Sequence, residues 1–362
     1  MVKGKVKFYD KKKAFGFINV KNKREDVHIG PDSYKGFLPM KGDIVTFEIV
    51  QQRQGPHARQ MKLIKRTKKS KSVTKPSSIS TSYQLPSDTR EYVMENINSF
   101  QNFNLLYQKY IRVDEKNKFL KPSIKGLKFM YLDQYREKFE KNLQQIAKSI
   151  QFIGFKAKTA SRLLIGFGNP SVIETNLELE HIYGFPYIPG SALKGILSNY
   201  LINEYFTNQK GEASEEKALK DQGFCDIFGC PKESFYEEER RGKVLFLDSL
   251  PNENPKLEKD IMTPHFGKYY NSEGQKPPAD YYTPNVIDFL GISKNIEFHF
   301  YLGIKKSELK WKISKDSDLE TNELSILDFV KKKLMEALEF QGLGAKTAVG
   351  YGYFYDFGTI VV

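Results

Sequence analysis

The chain has few cysteines and no long apolar run, and each lack excludes a class of protein. Its 362 residues include only Cys225 and Cys230, too few for a disulfide scaffold, and C-x4-C alone is not a zinc spacing. No apolar run approaches the roughly 18 residues of a membrane helix, and the first residues lack a signal-peptide stretch. We therefore expect a cytoplasmic protein without a membrane-spanning helix.

Residue patterns that carry catalysis are also sparse. The five histidines have no spacing with Asp or Glu that matches a metal site, which favours structural or surface roles. The glycine-rich segment around Lys346 is not a Walker motif, because Ala345 precedes the lysine where glycine is required and no strand leads into it. The sequence therefore predicts no metal, no cofactor and no enzymatic activity.

Positive charge is concentrated at one end of the chain. The net charge is +13, from 57 basic and 44 acidic residues. Residues 1–76 hold 20 basic and 6 acidic residues, a net +14, whereas the remaining 286 hold 37 and 38, a net −1. This asymmetry indicates a polyanion partner, either nucleic acid or an anionic membrane face, although a solvated lysine-rich surface would give the same count.

Residues 1–66 predict a small, closed, all-β barrel. Apolar and polar residues alternate with period two at 5–9, 15–20 and 44–50, and a last short strand fits 58–64. About five short strands in a segment of this length are typical of such a barrel. Residues 67–89 are rich in Lys, Ser, Thr and Pro and have little to bury, so we interpret them as a flexible basic linker.

The rest of the chain predicts an α+β architecture. Apolar residues at helical spacing indicate a helical segment over 90–150. The domain from 151 to 362 has predicted strands at 152–167, 243–250, 296–302 and 349–361 and predicted helices at 191–206 and 323–340. Strand–helix–strand–strand–helix–strand is the ferredoxin-like order, here interrupted by two long insertions.

Three short motifs lie in the predicted barrel. They are Lys13-Ala14-Phe15-Gly16-Phe17-Ile18, Lys7-Phe8-Tyr9 and Val27-His28-Ile29. They resemble the first RNA-binding motif, the Lys-Trp-Phe triplet and the end of the second RNA-binding motif of the cold-shock domain, a five-stranded OB barrel. The resemblance covers the whole segment and implies binding of single-stranded nucleic acid.

Strand alternation places Phe15 and Phe17 on one face, where Phe8 or His28 can join them. Each base stacked on such a ring is worth about 1–3 kcal/mol with little sequence preference. In the alternative, Phe15 and Phe17 face the barrel core.

The charged residues around these rings include some that attract phosphate and one that repels it. Lys7 and Lys13 can neutralise phosphates. Asp26 stands where the cold-shock family usually has a third stacking aromatic, and its carboxylate would repel phosphate. We therefore expect a shorter or weaker single-strand site than that of a free-standing cold-shock protein.

Motifs of another kind occur in the second domain. They are Ile-Pro-Gly-Ser before the helix at 191, Asp-Ile-Met-Thr-Pro-His at 260–265, the segment 161–170, and the glycine-rich loop at 342–352. Over about 152–357 the chain resembles the RAMP superfamily of CRISPR RNA-binding proteins. Within it, the motifs at 161–170 and 260–265 resemble the sixth-subunit family of the type III-B (Cmr) effector complex.

The helix start and two matching segments supply candidate RNA contacts. Ser191 is predicted as the N-cap of a helix whose free amides, with Lys194, can bind an anion. In the alternative, this is an ordinary capped helix and Lys194 points to solvent. Arg162 and His265 lie in segments that match the RAMP resemblance, which implies that they too contact RNA.

The terminal loop supplies the remaining candidates. Gly342, Gly344 and Gly350 allow close approach of backbone amides to phosphate. Lys346, Thr347 and Tyr351 add charge, hydrogen bonding and stacking. In the alternative, the loop is a flexible glycine turn after a helix.

The resemblance implies a non-catalytic RNA-binding subunit of a type III-B interference complex. Its expected partners are guide RNA, target RNA and other subunits of the complex, and no membrane. The contacts are expected near the 3′ end of the guide and along the guide–target duplex. A guide-processing RAMP endoribonuclease, in which His181, His265 and Lys346 would supply the acid–base groups and the cation, remains the alternative. A free-standing RNA chaperone is a third possibility.

Overall fold

The computed structural model describes the chain except for residues 11–13, 22–24, 35–36, 53–54, 66–81, 116–117, 209, 310–312, 314–315, 320–323 and 362. Two compact units, Met1–Ser78 and Ile79–Val362, make up the chain. Most of the predicted linker at 67–89 and the predicted phosphate contact Lys13 lie outside the described residues. Within the described part, no helix is long and apolar enough to cross a membrane.

The first unit contains a closed five-stranded barrel. Its strands are β1 (Val2–Asp10), β2 (Phe15–Asn19), β3 (Val27–Ile29), β4 (Ile44–Gln52) and β5 (Gly55–Lys65). They pair in the order β1–β2–β3–β5–β4, and β4 returns to β1. The core consists of buried apolar residues, namely Val6, Ile18, Val20, Val27, Ile29, Val45, Phe47, Ala58 and Met61. The predicted small barrel is confirmed.

Strand β1 departs from regular alternation at Lys7. Val6 pairs with Ile18 and Phe8 pairs with Phe17, so that Lys7 is an extra residue opposite β2, which defines a β-bulge. In an unbroken strand Phe8 would share the inward face with buried Val6, because residues two apart point the same way. The bulge turns Phe8 outward, where it is 45% exposed.

The second unit begins with short strands and three helices. They are β6 (Ser82–Tyr83), α1 (Ser87–Asn96), α2 (Phe103–Gln108), β7 (Arg112–Val113), β8 (Phe119–Leu120) and α3 (Leu132–Ile146). Strands β6, β7 and β8 pair in that order as a small sheet. Phe103 and Tyr107 of α2 are buried in the main core of the unit. The segment predicted as helical over 90–150 therefore also contains strands and shares that core.

The other elements complete the unit. They are β9 (Ile150–Thr159), α4 (Gly190–Tyr205), α5 (Glu215–Leu219), α6 (Gln222–Phe228), β10 (Gly229–Cys230), β11 (Arg240–Arg241), β12 (Val244–Phe246), β13 (Leu250–Pro251), β14 (Leu257–Met262), α7 (Gly267–Tyr270), β15 (Ile287–Ile292), β16 (Glu297–Lys305), α8 (Ile326–Phe340) and β17 (Phe354–Ile360). The main sheet is antiparallel, with the order β12–β16–β9–β17 and β13 also paired to β16. Along the chain its elements run β9–α4–β12–β16–α8–β17, and the predicted α+β class is confirmed.

Helices pack against side chains from both faces of this sheet. Alternate residues of β16 point to opposite sides. Phe298 and Phe300 belong to the core that includes residues of α4 and α8. Tyr301 instead belongs to a smaller cluster with Leu143 of α3, and its ring lies 5.9 Å from that of Phe139, also in α3. The sheet therefore has little free surface near α3.

Strands β14 and β15 form a separate hairpin joined by residues 263–286. Its base is attached to the segment that follows β9, because Leu163 and Ile292 exchange backbone hydrogen bonds of 2.9 and 3.0 Å. The strand predicted over 152–167 was too long and ends at Thr159. Beyond that point the backbone leaves the main sheet and bonds to the hairpin and the terminal loop instead.

The backbone at Ala14 generates a stability prediction. Ala14 has φ +50°, a left-handed conformation that costs a residue with a Cβ about 1–2 kcal/mol. Glycine removes that cost and adds about 0.5–1 kcal/mol of backbone entropy. Ala14→Gly should therefore raise the free energy of unfolding of the barrel by about 0.5–1 kcal/mol, measured by denaturant titration of the full chain. The control Ala58→Gly, at a buried strand position, should lower it, and a loss of stability in Ala14→Gly would contradict the prediction.

Candidate nucleic-acid interface

Four aromatic side chains contact one another outside the barrel core. The Phe15 ring lies 5.8 Å from those of Phe8 and His28, the latter stacked at 27°. The Phe17 ring lies 5.7 Å from Phe15 and 5.5 Å from His28. None of the four is among the buried residues of the barrel core. The alternative in which Phe15 and Phe17 face the interior is therefore wrong.

His57 extends this group and was not among the residues predicted from the sequence. Strands β3 and β5 run parallel with His28 directly opposite His57. Their rings are 4.4 Å apart, and the two Nδ1 atoms share a hydrogen bond of 3.2 Å, so one ring donates and the other accepts. We call Phe8, Phe15, Phe17, His28 and His57 the aromatic stripe. Only the pairing of distant strands reveals its fifth member.

Lys7 and Asp26 form an ion pair beside the stripe. Lys7 Nζ donates to Asp26 Oδ2 at 2.6 Å, and Asn19 Nδ2 donates to Oδ1 at 3.4 Å. The hydrogen bond from Lys7 is the main cause that lowers the pKa of Asp26. The carboxylate that was expected to repel phosphate is thus paired. Lys7, which was predicted to contact phosphate, binds this carboxylate instead.

The terminal loop, residues 342–352, is built on left-handed backbone. Gly342, Gly344, Gly350 and Gly352 all have positive φ. A Cβ at Gly344 would lie 2.3 Å from the carbonyl oxygen of Leu164, whereas one at Gly350 would meet nothing within 4 Å. Gly344 is therefore required for packing within the protein, and only Gly350 leaves open space in front of its backbone.

Hydrogen bonds fasten the loop at its two ends. Leu343 N donates to Gly352 O at 2.8 Å, and Ala345 N donates to Leu164 O at 2.9 Å. Between them, Thr347–Val349 forms one 3-10 turn, and Tyr353 Oη donates to Thr347 O at 3.2 Å. The loop is a folded structure rather than the flexible turn of the alternative interpretation.

Lys346 is the unusual residue of this loop. Its φ is +63° although it carries a side chain, a conformation that costs of order 1–3 kcal/mol and concentrates at functional sites. Its Nζ lies 5.6 Å from the centre of the Phe167 ring, within range of a cation–π contact. Phe167 in turn packs edge-on at 5.3 Å against Phe289. The backbone and an aromatic ring thus hold one cation at the loop.

Arg162 lies against carboxylates. Its Nε donates to Glu258 Oε2 at 2.9 Å and its Nη1 donates to Asp260 Oδ2 at 2.8 Å. Tyr351 Oη donates to the same Asp260 oxygen at 2.5 Å. This bond is the main cause that lowers the pKa of Asp260, and it also raises the pKa of Tyr351. The contacts of Arg162 and Tyr351 with RNA stay predictions, and both side chains bind the hairpin here.

The helix start differs from the prediction that Ser191 is its N-cap. Helix α4 begins at Gly190 with Pro189 as the N-cap residue, and no side chain at the cap accepts a hydrogen bond. Instead Asp248 Oδ1, from the chain after β12, accepts from Gly190 N at 2.8 Å. A protein carboxylate thus contacts the first amide of the predicted anion site. Ser191 and Lys194 are exposed, as in the alternative interpretation.

His265 lies on the connection between β14 and β15. It is exposed, and its ring is 6.4 Å from that of Phe266. Among the described residues, no group of three or more His, Cys, Asp or Glu could hold a metal ion.

Comparison with known protein families finds one matching family for each of the two units. The sequence profile of the RAMP superfamily matches residues 156–355, and that of the 'Cold-shock' DNA-binding domain matches residues 2–64. The chain therefore belongs to the RAMP superfamily and carries a cold-shock domain in its first unit.

Curated relatives narrow the assignment. The chain is 30% identical over 265 residues to the CRISPR system Cmr subunit Cmr6 of Pyrococcus furiosus. The aligned region covers 61% of this chain and 73% of that protein. It is 27% identical to Cmr6 of Saccharolobus solfataricus, with 67% of this chain and 72% of that protein covered. A cold shock-like protein of Thermotoga maritima is 39% identical over 66 residues, which is 17% of this chain and 98% of that protein. Within the superfamily, the chain belongs to the Cmr6 family.

The His28–His57 contact generates a pH prediction. Burial, and then the charge of a protonated His57, lower the pKa of His28 below its ordinary value. The unfolded chain therefore binds more protons than the barrel as the pH falls through about 6.5, and barrel stability should decrease there. In His57→Gln the pKa of His28 should rise but stay below about 6.5, because burial remains.

Imidazole NMR titration of the full chain measures this pKa directly. The control is Ile64→Ala, at an exposed apolar side chain of β5, the strand that carries His57, and it should leave the titration of His28 unchanged. A wild-type His28 that titrates at or above about 6.5 would contradict the prediction.

Proposed function

We propose that the chain is a non-catalytic RNA-binding subunit of a type III-B CRISPR interference complex. In this proposal the second unit contacts guide RNA on its 3′-end side and the guide–target duplex, and the cold-shock domain adds a surface for a single strand. Guide RNA, target RNA and other subunits of the complex are the partners, and the cytoplasm is the location. Membership of the Cmr6 family supports the place in the complex.

The aromatic stripe is the observation that carries RNA binding. Its rings follow one another across β1, β2, β3 and β5, with centroids 4.4–5.8 Å apart. Packing inside the barrel does not account for them, because the core is formed by other residues. Bases stack on such rings irrespective of sequence, and the excess positive charge of residues 1–76 attracts the backbone.

The terminal loop supports an RNA contact in the second unit. It presents Lys346 from strained backbone and leaves open space at Gly350. One such cation binds a phosphate without reading the base. We propose no catalytic role for it, because Asp260, the carboxylate that contacts this loop, is already bound to Arg162 and Tyr351.

Loss of the two central rings should weaken binding of a single strand. In the full chain, Phe15→Ala with Phe17→Ala should cost about 1–3 kcal/mol for each base that no longer stacks, measured by fluorescence anisotropy with a short single-stranded RNA. The control Ile64→Ala removes an exposed apolar side chain of β5 (51% exposed) and should leave the affinity unchanged. Equal affinity of the double variant and wild type, with the barrel folded, would reject the stripe as the binding surface.

Neutralising Lys346 should remove one phosphate contact. The change Lys346→Gln removes the charge, shortens the side chain by one bond and retains the cost of left-handed backbone, so stability should barely change. In a chain that already carries Phe15→Ala and Phe17→Ala, it should weaken RNA binding about equally for all sequences and reduce the salt slope by about one.

Titrations at several salt concentrations, with thermal melts alongside, measure this effect. The matched control is Lys332→Gln, an exposed lysine of α8. Equal affinities and salt slopes with and without Lys346→Gln would mean that the loop is only a structural turn.

A further inference from the structure

A groove beside α3 has no role in the sites described above. It encloses about 380 Å³, a volume within the usual range of small-molecule sites. Six of its lining residues come from α3 and the residue just before it, at 131, 134, 135, 138, 139 and 142, and Tyr183 forms the opposite wall. Spacings of three and four place the six on one face of the helix. The groove follows roughly 16 Å of helix, at about 1.5 Å per residue.

The inner edge of this helical face is used for packing. The Tyr135 ring contacts Phe185 at 5.1 Å, and the Phe139 ring contacts Tyr301 at 5.9 Å. Leu143 is buried one turn further along. These contacts account for the apolar half of the face and fix α3 in position.

The outer edge remains open. Tyr131 is 40% exposed, and Gln134, Lys138 and Asn142 are exposed as well. The Tyr131 and Tyr183 rings are 5.6 Å apart and tilted by 50°. Two tyrosine rings thus stand at one end of a row of two carboxamides and a cation.

The backbone that carries Tyr183 is held in place before any ligand arrives. Glu180 Oε2 accepts hydrogen bonds from the backbone amides of Ile182 and Tyr183, at 2.8 and 2.5 Å. The turn that carries this ring is therefore fixed by its own carboxylate, which reduces the entropy cost of binding.

We propose that this groove binds an unpaired nucleotide of RNA, an assignment that rests on the proposed function. Tyrosine rings offer stacking faces to a base, and the carboxamides of Gln134 and Asn142 offer both donors and acceptors to its edge. Lys138 is the only charged residue among those that line the groove, and it suits a phosphate. An unmodified protein partner has no single side chain with a flat aromatic face, a polar edge and a phosphate, so a nucleotide fits these three groups of the groove better.

Photo-crosslinking of the full chain tests this proposal. The probe is a short single-stranded RNA that contains 4-thiouridine, and mass spectrometry locates the crosslinked peptides. We expect crosslinks at or beside Tyr131 or Tyr183. Tyr131→Ala with Tyr183→Ala should reduce their yield at least about fivefold, as expected for the loss of one stacked base, and leave crosslinks at the barrel and the terminal loop unchanged.

Two further variants separate stacking from folding. Tyr131→Phe with Tyr183→Phe retains both rings and should restore most of the yield, with melts to show that each variant is folded. Tyr92→Ala, at an exposed tyrosine of α1 (61% exposed), is the control and should have no effect.

The possible failures are distinguishable. Crosslinks at the barrel or the terminal loop with none at the groove would overturn the assignment of the groove as a nucleotide site while leaving the proposed function intact. No crosslinks anywhere in the chain would count against both. A groove occupied by a protein neighbour in the purified complex, detected by protein–protein crosslinks at Lys138, would also overturn the nucleotide assignment.

Discussion

The second unit depends on Arg162 and its neighbours, where three segments distant in the sequence meet. The guanidinium binds Glu258 and Asp260 of the hairpin, and the backbone oxygen of Arg162 accepts from Gly352 N at 2.8 Å. Two residues on, Leu164 O accepts from Ala345. Partly exposed ion pairs add little stability singly, but several bonds from one short segment fix the hairpin and the terminal loop relative to each other. The loop's cation therefore has a defined position.

In the proposed function, the two units hold RNA by different physical means. Excess positive charge lies in the first 76 residues, and the aromatic stripe there suits a single strand of any sequence. The rest of the chain is nearly neutral, so it has no strong general attraction for phosphate. The RNA contacts that we propose for it therefore rest on a few placed groups, of which Lys346 is the best defined. Broad capture and fixed positioning are thus assigned to separate units of one chain.

The sequence predicts most of the architecture because alternation, helical spacing and turn residues are local signals. What it misses arises from contacts between distant residues. Phe8 is exposed because of a bulge that depends on the register with β2. His57 joins His28 only through a parallel strand pair. Asp248, 58 residues away, contacts the start of α4 in place of a cap by Ser191. Likewise, the carboxylates that hold Arg162 are 96 and 98 residues distant, beyond the reach of local patterns.

The central claim is that this chain works as an RNA-binding subunit within a type III-B complex. The most direct measurement is purification of the affinity-tagged full chain from its native host, with sequencing of bound RNA and mass spectrometry of bound proteins. The account predicts guide RNA together with other Cmr subunits, and RNA crosslinks to the chain clustered toward the 3′ ends of the guides. A chain that purifies with mixed cellular RNA and without Cmr subunits would contradict it.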